Sequence, residues 1–291
     1  MEKLVSVIIP TYNRAQVLLG AINSALSQTY KNLEIIVVDD ASADNTRDLI
    51  CGIHDGRVKY CRLEKNNGGS VARNVGIKIS QGEFIAFLDS DDEWLPTKLE
   101  KQVKLFNSLS DEYGLIYSGC YFSCENKFSG GCFKPKEKGT IFDILLERNC
   151  VGTTSTVLVK ANLVHKIGGF KEGLPSCQDW DFYLRLSQIT KFYFIADSLV
   201  VYSVNKKLER ISNKKDEVEL GYDYIESTYA ISSLSACKLG AYFYYKGIFY
   251  LYFLDYKLGA VRNFIKSILI SGRLKYYKGF LLIIRKMLLR Y

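Results

Sequence analysis

Apolar and polar positions change period repeatedly along the first ninety residues. Apolar runs at residues 4–9, 33–38, 58–63 and 84–88 have the length and composition of strands buried on both faces. Between them, residues 15–27, 45–53 and 70–80 carry apolar side chains at helical spacing. This alternation predicts a βαβ series with a mainly parallel sheet, in which the helices are the crossovers. Sheets of this kind bind ligands at the carboxyl ends of their strands. There the sequence places Thr11-Tyr12-Asn13-Arg14, Asp39-Asp40 and Asp89-Ser90-Asp91-Asp92.

From about residue 114 to 202 the pattern is less regular. Strands at 154–159 and 192–195 are predicted to flank a helix at 179–187, with a turn at Gly168-Gly169. A polar stretch, 205–219, leads into aromatic helical patterns at 239–254 and 257–270, separated by a turn near Asp255. They read as an antiparallel helix hairpin. Lys246 and Gly247 interrupt its apolar run, which argues against a membrane span. The expected organisation is an α/β domain over residues 1–204 followed by a helical region over 205–291.

Composition limits the function classes. A chain of 291 residues with 48% hydrophobic and 24% charged side chains is globular, neither disordered nor fibrous. The net charge of +8 is unevenly distributed: residues 256–291 hold nine Lys or Arg and no Asp or Glu, leaving 30 basic and 31 acidic side chains elsewhere. The body is near neutral, so a nucleic-acid partner is not expected. A basic, apolar tail suits an anionic membrane surface instead. Arg273, Lys275, Lys278, Arg285, Lys286 and Arg290 lie there among the apolar residues 280–284 and 287–289. A helix docked on the rest of the protein is the structural alternative.

Eight scattered cysteines with no two-residue spacing read as free thiols, and the apolar run before Pro10 is too short for a secretory segment. A cytosolic location is therefore expected.

Only two histidines exist, His54 and His165, and neither adjoins a candidate nucleophile or another metal ligand. Proton transfer must then fall to carboxylates. Asp89-Ser90-Asp91 follows an apolar strand directly and places two carboxylates at a strand end, where such oxygens hold Mg²⁺ or Mn²⁺ together with substrate phosphates. A solvated turn capping the next helix would look the same in isolation. Asp39-Asp40 has the acceptors for a base or ribose, or for a helix cap. Asn66-Asn67-Gly68-Gly69-Ser70 opens a helix carrying Arg73 and Asn74, which would bring a cation near phosphates. Gln178-Asp179-Trp180-Asp181 puts carboxylates at a helix start, where they stay ionised and can act as bases or as caps.

Taken in order, residues 5–13 (Val5 to Ile9, then Pro10-Thr11-Tyr12-Asn13), Val37-Val38-Asp39-Asp40-Ala41-Ser42, Asn67-Gly68-Gly69 to Ala72-Arg73-Asn74, Phe87-Leu88-Asp89-Ser90-Asp91-Asp92 and Gln178-Asp179-Trp180-Asp181 resemble family 2 of the glycosyltransferases. Gly168-Gly169-Phe170 also matches, and the resemblance spans residues 4–202. It implies a GT-A fold: a Rossmann-like mixed sheet in residues 1–204, followed here by the helical hairpin and basic tail. It implies a nucleotide-diphosphate-sugar donor, a divalent Mn²⁺ or Mg²⁺ ion, and inversion at the anomeric carbon. Pro10, Thr11, Tyr12, Asn13, Asp39, Asp40, Arg73, Asn74, Asp89 and Ser90 would form the donor-nucleotide site. Within it, Thr11 and Asp40 would meet the base and ribose region, and Asp89 would approach the ribose. Asp91 would hold the metal. Asp179 would be the general base toward the acceptor hydroxyl, with Asp181 as the competing assignment. Gln178 departs from the family, which often has Glu there.

Together with the basic tail, which motivates the lipid carrier, the resemblance leads us to expect transfer of a sugar, UDP-linked by preference, to a lipid-linked glycan acceptor at the inner membrane face, in O-antigen or capsule synthesis. Two other readings compete. A phosphatase of the haloacid dehalogenase type also carries D-x-D after a strand, but expects Thr or Val where this chain has Glu93. A non-catalytic nucleotide-sugar- or carbohydrate-binding protein could share the fold.

Overall fold

The computed structural model describes residues 2–124, 127–204, 214–252, 254, 256–279 and 281–283. The first ninety residues form β1 (Val5–Thr11), α1 (Ala15–Leu26), β2 (Leu33–Asp39), α2 (Thr46–Cys51), β3 (Val58–Arg62), α3 (Gly69–Ile79) and β4 (Phe84–Phe87), in the order the periodicity predicts. All four strands pair in parallel, β3-β2-β1-β4. Alternation along β1 and β2 decides which helix covers which face. Val5, Val7 and Ile9, with Ile35 and Val37, pack against Leu18, Ile22 and Ala25 of α1 and Ile50 of α2. On the opposite face, Ile36 and Val38 pack against Ala72 of α3. Gly76 lets α3 approach this closely, because a Cβ there would collide with the Ile8 side chain.

The chain continues through β5 (Glu93–Trp94), α4 (Lys98–Ser108), β6 (Tyr113–Cys124), β7 (Lys127–Phe133), α5 (Phe142–Glu147), β8 (Val157–Lys160), α6 (Ala161–Lys166), α7 (Gln178–Ser187) and β9 (Lys191–Ser203). This half makes the sheet mixed rather than mainly parallel. β8 runs antiparallel to both β4 and β6, and β5 and β7 pair antiparallel at β9 and β6. The full order is β3-β2-β1-β4-β8-β6-β9-β5, with β7 beside β6. Only residues 157–159 of the predicted strand at 154–159 lie in β8, because Thr154–Thr156 form a 3-10 turn. Phe87 is wedged against the stacked rings of Phe170 and Phe182, whose centroids lie 4.3 Å apart.

Last come α8 (Lys215–Thr228), α9 (Ala236–Tyr252) and α10 (Lys257–Ser271). The predicted hairpin is present: Gly240 of α9 lies against Ser267 and Ser271 of α10, and Gly247 against Phe264, so the two helices run antiparallel. Among the described residues no helix is long and apolar enough to cross a membrane. Residues 284–291, with Arg285, Lys286 and Arg290 of the basic tail, lie outside the described residues.

Compactness separates two units, and they are not consecutive segments. The first comprises Met1–Ile141, Val151–Gly173 and Asp181–Lys207, and the second Phe142–Cys150, Leu174–Trp180 and Leu208–Tyr291. The two short segments fall with the C-terminal helices, to which Trp180 ties them. Its indole donates to the Leu145 carbonyl at 2.7 Å, and its rings pack on Tyr222 and Tyr242.

Candidate active site

β1 connects to β2 on one side while β4 lies on its other side, so their carboxyl ends form the topological switch point of the parallel half. Here the loops following β1, β2 and β4 converge. Asn13 has a left-handed backbone (φ 51°), as does Ala41 (φ 64°), and the two turns are tied together. The Asn13 amide donates to Ser42 Oγ at 2.9 Å, and Asn13 Oδ1 accepts from the Ala43 amide at 2.7 Å. Tyr12 is exposed, whereas Pro10 and Thr11 are buried in the strand.

The two carboxylates at the end of β2 hold loops in place. Asp39 is fully buried; it accepts the Ser42 amide at 2.9 Å and the Tyr60 hydroxyl at 2.6 Å. Burial and the Asp39 carboxylate push the Tyr60 hydroxyl up to about 12. Asp40 accepts the Asn67 amide at 2.8 Å on one oxygen and the Gly68 amide at 2.7 Å on the other. The glycine-rich turn, with Gly68 at φ 88°, is thereby anchored to the sheet. The hydroxyls of Thr11 and Ser70 are buried without a hydrogen-bond partner at these strand and helix ends, as groups left for a ligand or water would be.

After β4, the acidic residues divide their roles. Asp91, with 6% of its side chain exposed, pairs with Arg14 Nη1 at 2.5 Å. Asp89 pairs with Arg73 Nη2 at 2.6 Å, and that guanidinium lies over the Phe170 ring. Each carboxylate of the Asp-Ser-Asp run therefore has an arginine counter-ion. Asp92 is structural: it accepts from Ser155 Oγ at 2.7 Å and from the Ser203 amide at 3.1 Å, joining β4 to β9. Ser90 is buried. Ser155 Oγ also accepts the Asp89 amide, and the Thr154 hydroxyl lies 3.3 Å from Asp89 Oδ1.

Asn74 differs in its use from its neighbour Arg73. Its amide clamps the backbone of Phe170, donating to the carbonyl at 2.9 Å and accepting from the amide at 2.8 Å. The clamp secures the Gly168-Gly169-Phe170 turn, whose glycines have φ of 73° and 71°.

The two carboxylates of α7 fall on either side of the division between units. In the second unit, half-buried Asp179 accepts from Asn149 Nδ2 at 3.0 Å and from the Trp180 amide at 2.8 Å. Burial and the nearby Asp179 carboxylate push the Cys177 thiol up to about 12. In the first unit, Asp181 is fully buried and grips Arg185 Nε at 2.9 Å and Nη2 at 2.7 Å. Arg185 Nη1 in turn donates to the carbonyls of Ile167 and Gly169.

Arg14 belongs to the strand-end run Thr11-Tyr12-Asn13-Arg14 read from the sequence, whereas Tyr60, Asn149 and Ser155, which contact the candidate carboxylates, were not singled out there. The hydroxyl run Thr153-Thr154-Ser155-Thr156 after Gly152 was the available signal for Ser155, and Tyr60 and Asn149 are isolated residues with no motif of their own. Among the described residues no group of three or more His, Cys, Asp or Glu is arranged to hold a metal. Mg²⁺ and Mn²⁺ sites that bind nucleotides need fewer protein ligands, because one or two carboxylates suffice when phosphates complete the shell. Asp91, a hard oxygen donor at the switch point, fits that requirement.

A family model described as Glycosyl transferase family 2 matches residues 6–144. An uncharacterized glycosyltransferase of Rickettsia prowazekii, RP339, is 38% identical over 207 residues, covering 68% of this chain and 63% of its own length. The chain thus spans less than two thirds of that relative. The Escherichia coli UDP-Glc:alpha-D-GlcNAc-diphosphoundecaprenol beta-1,3-glucosyltransferase WfgD is 37% identical over 186 residues, covering 64% of this chain and 70% of its own.

Among solved structures, S. aureus TarS in complex with UDP-GlcNAc aligns over 92% of this chain and 89% of its own, with TM-score 0.58 and 18% identity. The mannosyltransferase PcManGT from Pyrobaculum calidifontis, in complex with GDP-Man and Mn²⁺, aligns over 99% and 80%, with TM-score 0.62 and 17% identity. These likenesses identify the GT-A fold, and with sequence relatives this similar over most of WfgD's length, the chain belongs to glycosyl transferase family 2.

Proposed function

We propose that the protein transfers a sugar, with inversion, from a nucleotide-diphosphate donor to a hydroxyl of a lipid-linked glycan in surface polysaccharide synthesis, at the inner face of the membrane. The observation that carries the reading is the Asp89-Ser90-Asp91 run at the β1/β4 switch point, each carboxylate countered by an arginine. UDP is the favoured nucleotide. WfgD is named for a UDP-Glc donor and a diphosphoundecaprenol acceptor, and TarS was solved with UDP-GlcNAc.

In this reading Pro10, Thr11, Tyr12 and Asn13 line the base and ribose, and the unpartnered Thr11 hydroxyl is satisfied there. Asp39 and Asp40 hold the surrounding loops in shape. Arg73 turns from Asp89 toward phosphate, and Asp89 approaches the ribose. Asn74 contributes through the Phe170 turn. Asp91 would hold the divalent ion, which when bound neutralises charge developing on the leaving diphosphate. Asp179 takes the proton of the acceptor hydroxyl as that oxygen forms its bond to the anomeric carbon and the bond to the diphosphate breaks. One displacement inverts the configuration. Asp181 is unsuited to this role, since Arg185 occupies it in the core.

The test is a thermal-shift panel of UDP, GDP, dTDP and CMP, each with and without Mn²⁺, on the wild type and on Asp91→Ala. Binding to the folded state raises the melting temperature by mass action, so no acceptor is required. A Mn²⁺-dependent rise with UDP, lost in the variant, is expected. No rise with any nucleotide would overturn the donor site.

A further inference from the structure

Helix α10 has two unlike faces. Its inner face consists of Gly259, Ala260, Asn263, Phe264 and Ser267, all buried, and α9 covers it. Its outer face carries Leu258, Ile265 and Leu269, which are 57%, 43% and 78% exposed. Their spacing of seven and four residues puts them in one row along the helix. Arg262 and Lys266 lie beside that row, and Arg273 just beyond its end, all exposed. No acidic residue occurs anywhere in residues 256–291.

We infer that this outer face of α10 is the surface by which the protein lies on an anionic lipid bilayer. A row of large aliphatic side chains in water is unfavourable and calls for a partner. The flanking cations and the absence of acids select what that partner is. A second copy would set Arg262 and Lys266 against cations of its own, whereas a headgroup layer of negative charge accepts all of them. The aliphatic row then enters the acyl boundary while the arginines and lysine stay among the phosphates. This rests on the membrane part of the function proposed above, but it assigns the contact to α10 and not to the last residues of the chain.

Cosedimentation of the full chain with vesicles of phosphatidylcholine alone, and of equal parts phosphatidylcholine and phosphatidylglycerol, tests it. The wild type is expected in the pellet only with phosphatidylglycerol, and less so as salt rises. The triple variant Leu258→Ser, Ile265→Ser, Leu269→Ser is expected to lose at least about tenfold in partitioning. The variant Arg262→Gln, Lys266→Gln removes two exposed charges, and with them the contact of Lys266 with the Phe243 ring of α9; it is expected to keep the wild-type circular dichroism spectrum and to lose the preference for phosphatidylglycerol. Arg285→Gln, Lys286→Gln, Arg290→Gln is expected to bind within a few-fold of the wild type.

If the last variant alone releases the protein, the membrane reading stands and the assignment to α10 falls. If the wild type pellets with neither vesicle, both fall. If it self-associates through α10 in sedimentation equilibrium and ignores vesicles, the occupant is a second copy and the inference is overturned.

Discussion

The Arg14 guanidinium lies 2.5 Å from the Asp91 carboxylate, so the residue proposed to hold a divalent ion already carries a positive partner. The two cations compete for one carboxylate. Arg14→Met is expected to tighten Mn²⁺ binding in the absence of nucleotide by about three- to tenfold, a modest effect for one partly exposed charge. Counting free Mn²⁺ by electron paramagnetic resonance measures this without any turnover. Unchanged affinity in Arg14→Met would separate Arg14 from the metal.

Asp179 and Asp181 respond differently to the same substitution. Asp179→Asn should retain donor binding and lose about 10² to 10⁴ in kcat, the range for a missing general base. Asp181→Asn should instead weaken the fold by about 2 kcal/mol or more, because it strands the partly buried Arg185 guanidinium. Urea unfolding and steady-state kinetics on both variants separate the roles. A stable, inactive Asp181 variant would reverse the assignment.

Asn74→Ala tests whether the clamp on Phe170 is structural. A loss of about 1–3 kcal/mol in stability is expected from two backbone hydrogen bonds released, with the UDP and Mn²⁺ thermal shift unchanged in size. A fold of normal stability that no longer binds UDP would return Asn74 to the nucleotide.

Tyr60 gives the protein an alkaline limit. Its hydroxyl titrates at about 12 in the fold and at about 10 when unfolded. Above pH 10 the folded state therefore retains a proton that the unfolded chain releases, and stability falls as pH rises toward 12. Tyr60→Phe is expected to be less stable below pH 10 by about 1–3 kcal/mol, since Asp39 loses a charge-assisted hydrogen bond. The gap should close between pH 10 and 12, and chemical denaturation at several pH values reads it. Because Tyr222, Tyr242 and Tyr250 are also raised by burial, the difference between the two proteins is the quantity to follow.

How far the sequence could be read depended on whether one face of an element or both were buried by its own neighbours. β1, β2 and β4 are fully buried apolar runs bounded by turns, and α1 and α3 keep helical spacing, so these were legible; β3, read from the sequence as buried on both faces, is the end strand of the sheet and only half-buried, with Lys59 and Arg62 exposed. β6 was not, because Tyr113–Cys124 includes Gly114, Ser118 and Gly119. Added Cβ atoms at the glycines would strike Thr190 and the Phe133 carbonyl. There small residues mark close approach and break the apolar run. At the strand ends the carboxylates were legible in the motifs, but the partners that each would hold were not. Nothing in Asp89-Ser90-Asp91-Asp92 distinguishes the residue that joins β4 to β9 from the two that face arginines, since the deciding partners Ser155 and Ser203 are 63 and 111 residues away from Asp92.

For the nucleotide binding proposed here, the attachment of the Asn67-Gly68 turn to both oxygens of Asp40 removes one cost. A glycine-rich loop left loose in solution would have to be ordered at each encounter, and that lost freedom would weaken every complex it forms. Here the freedom is surrendered once, during folding. A nucleotide bound as proposed would then owe its residence time to the contacts it makes, with no separate delay from loop ordering on its arrival.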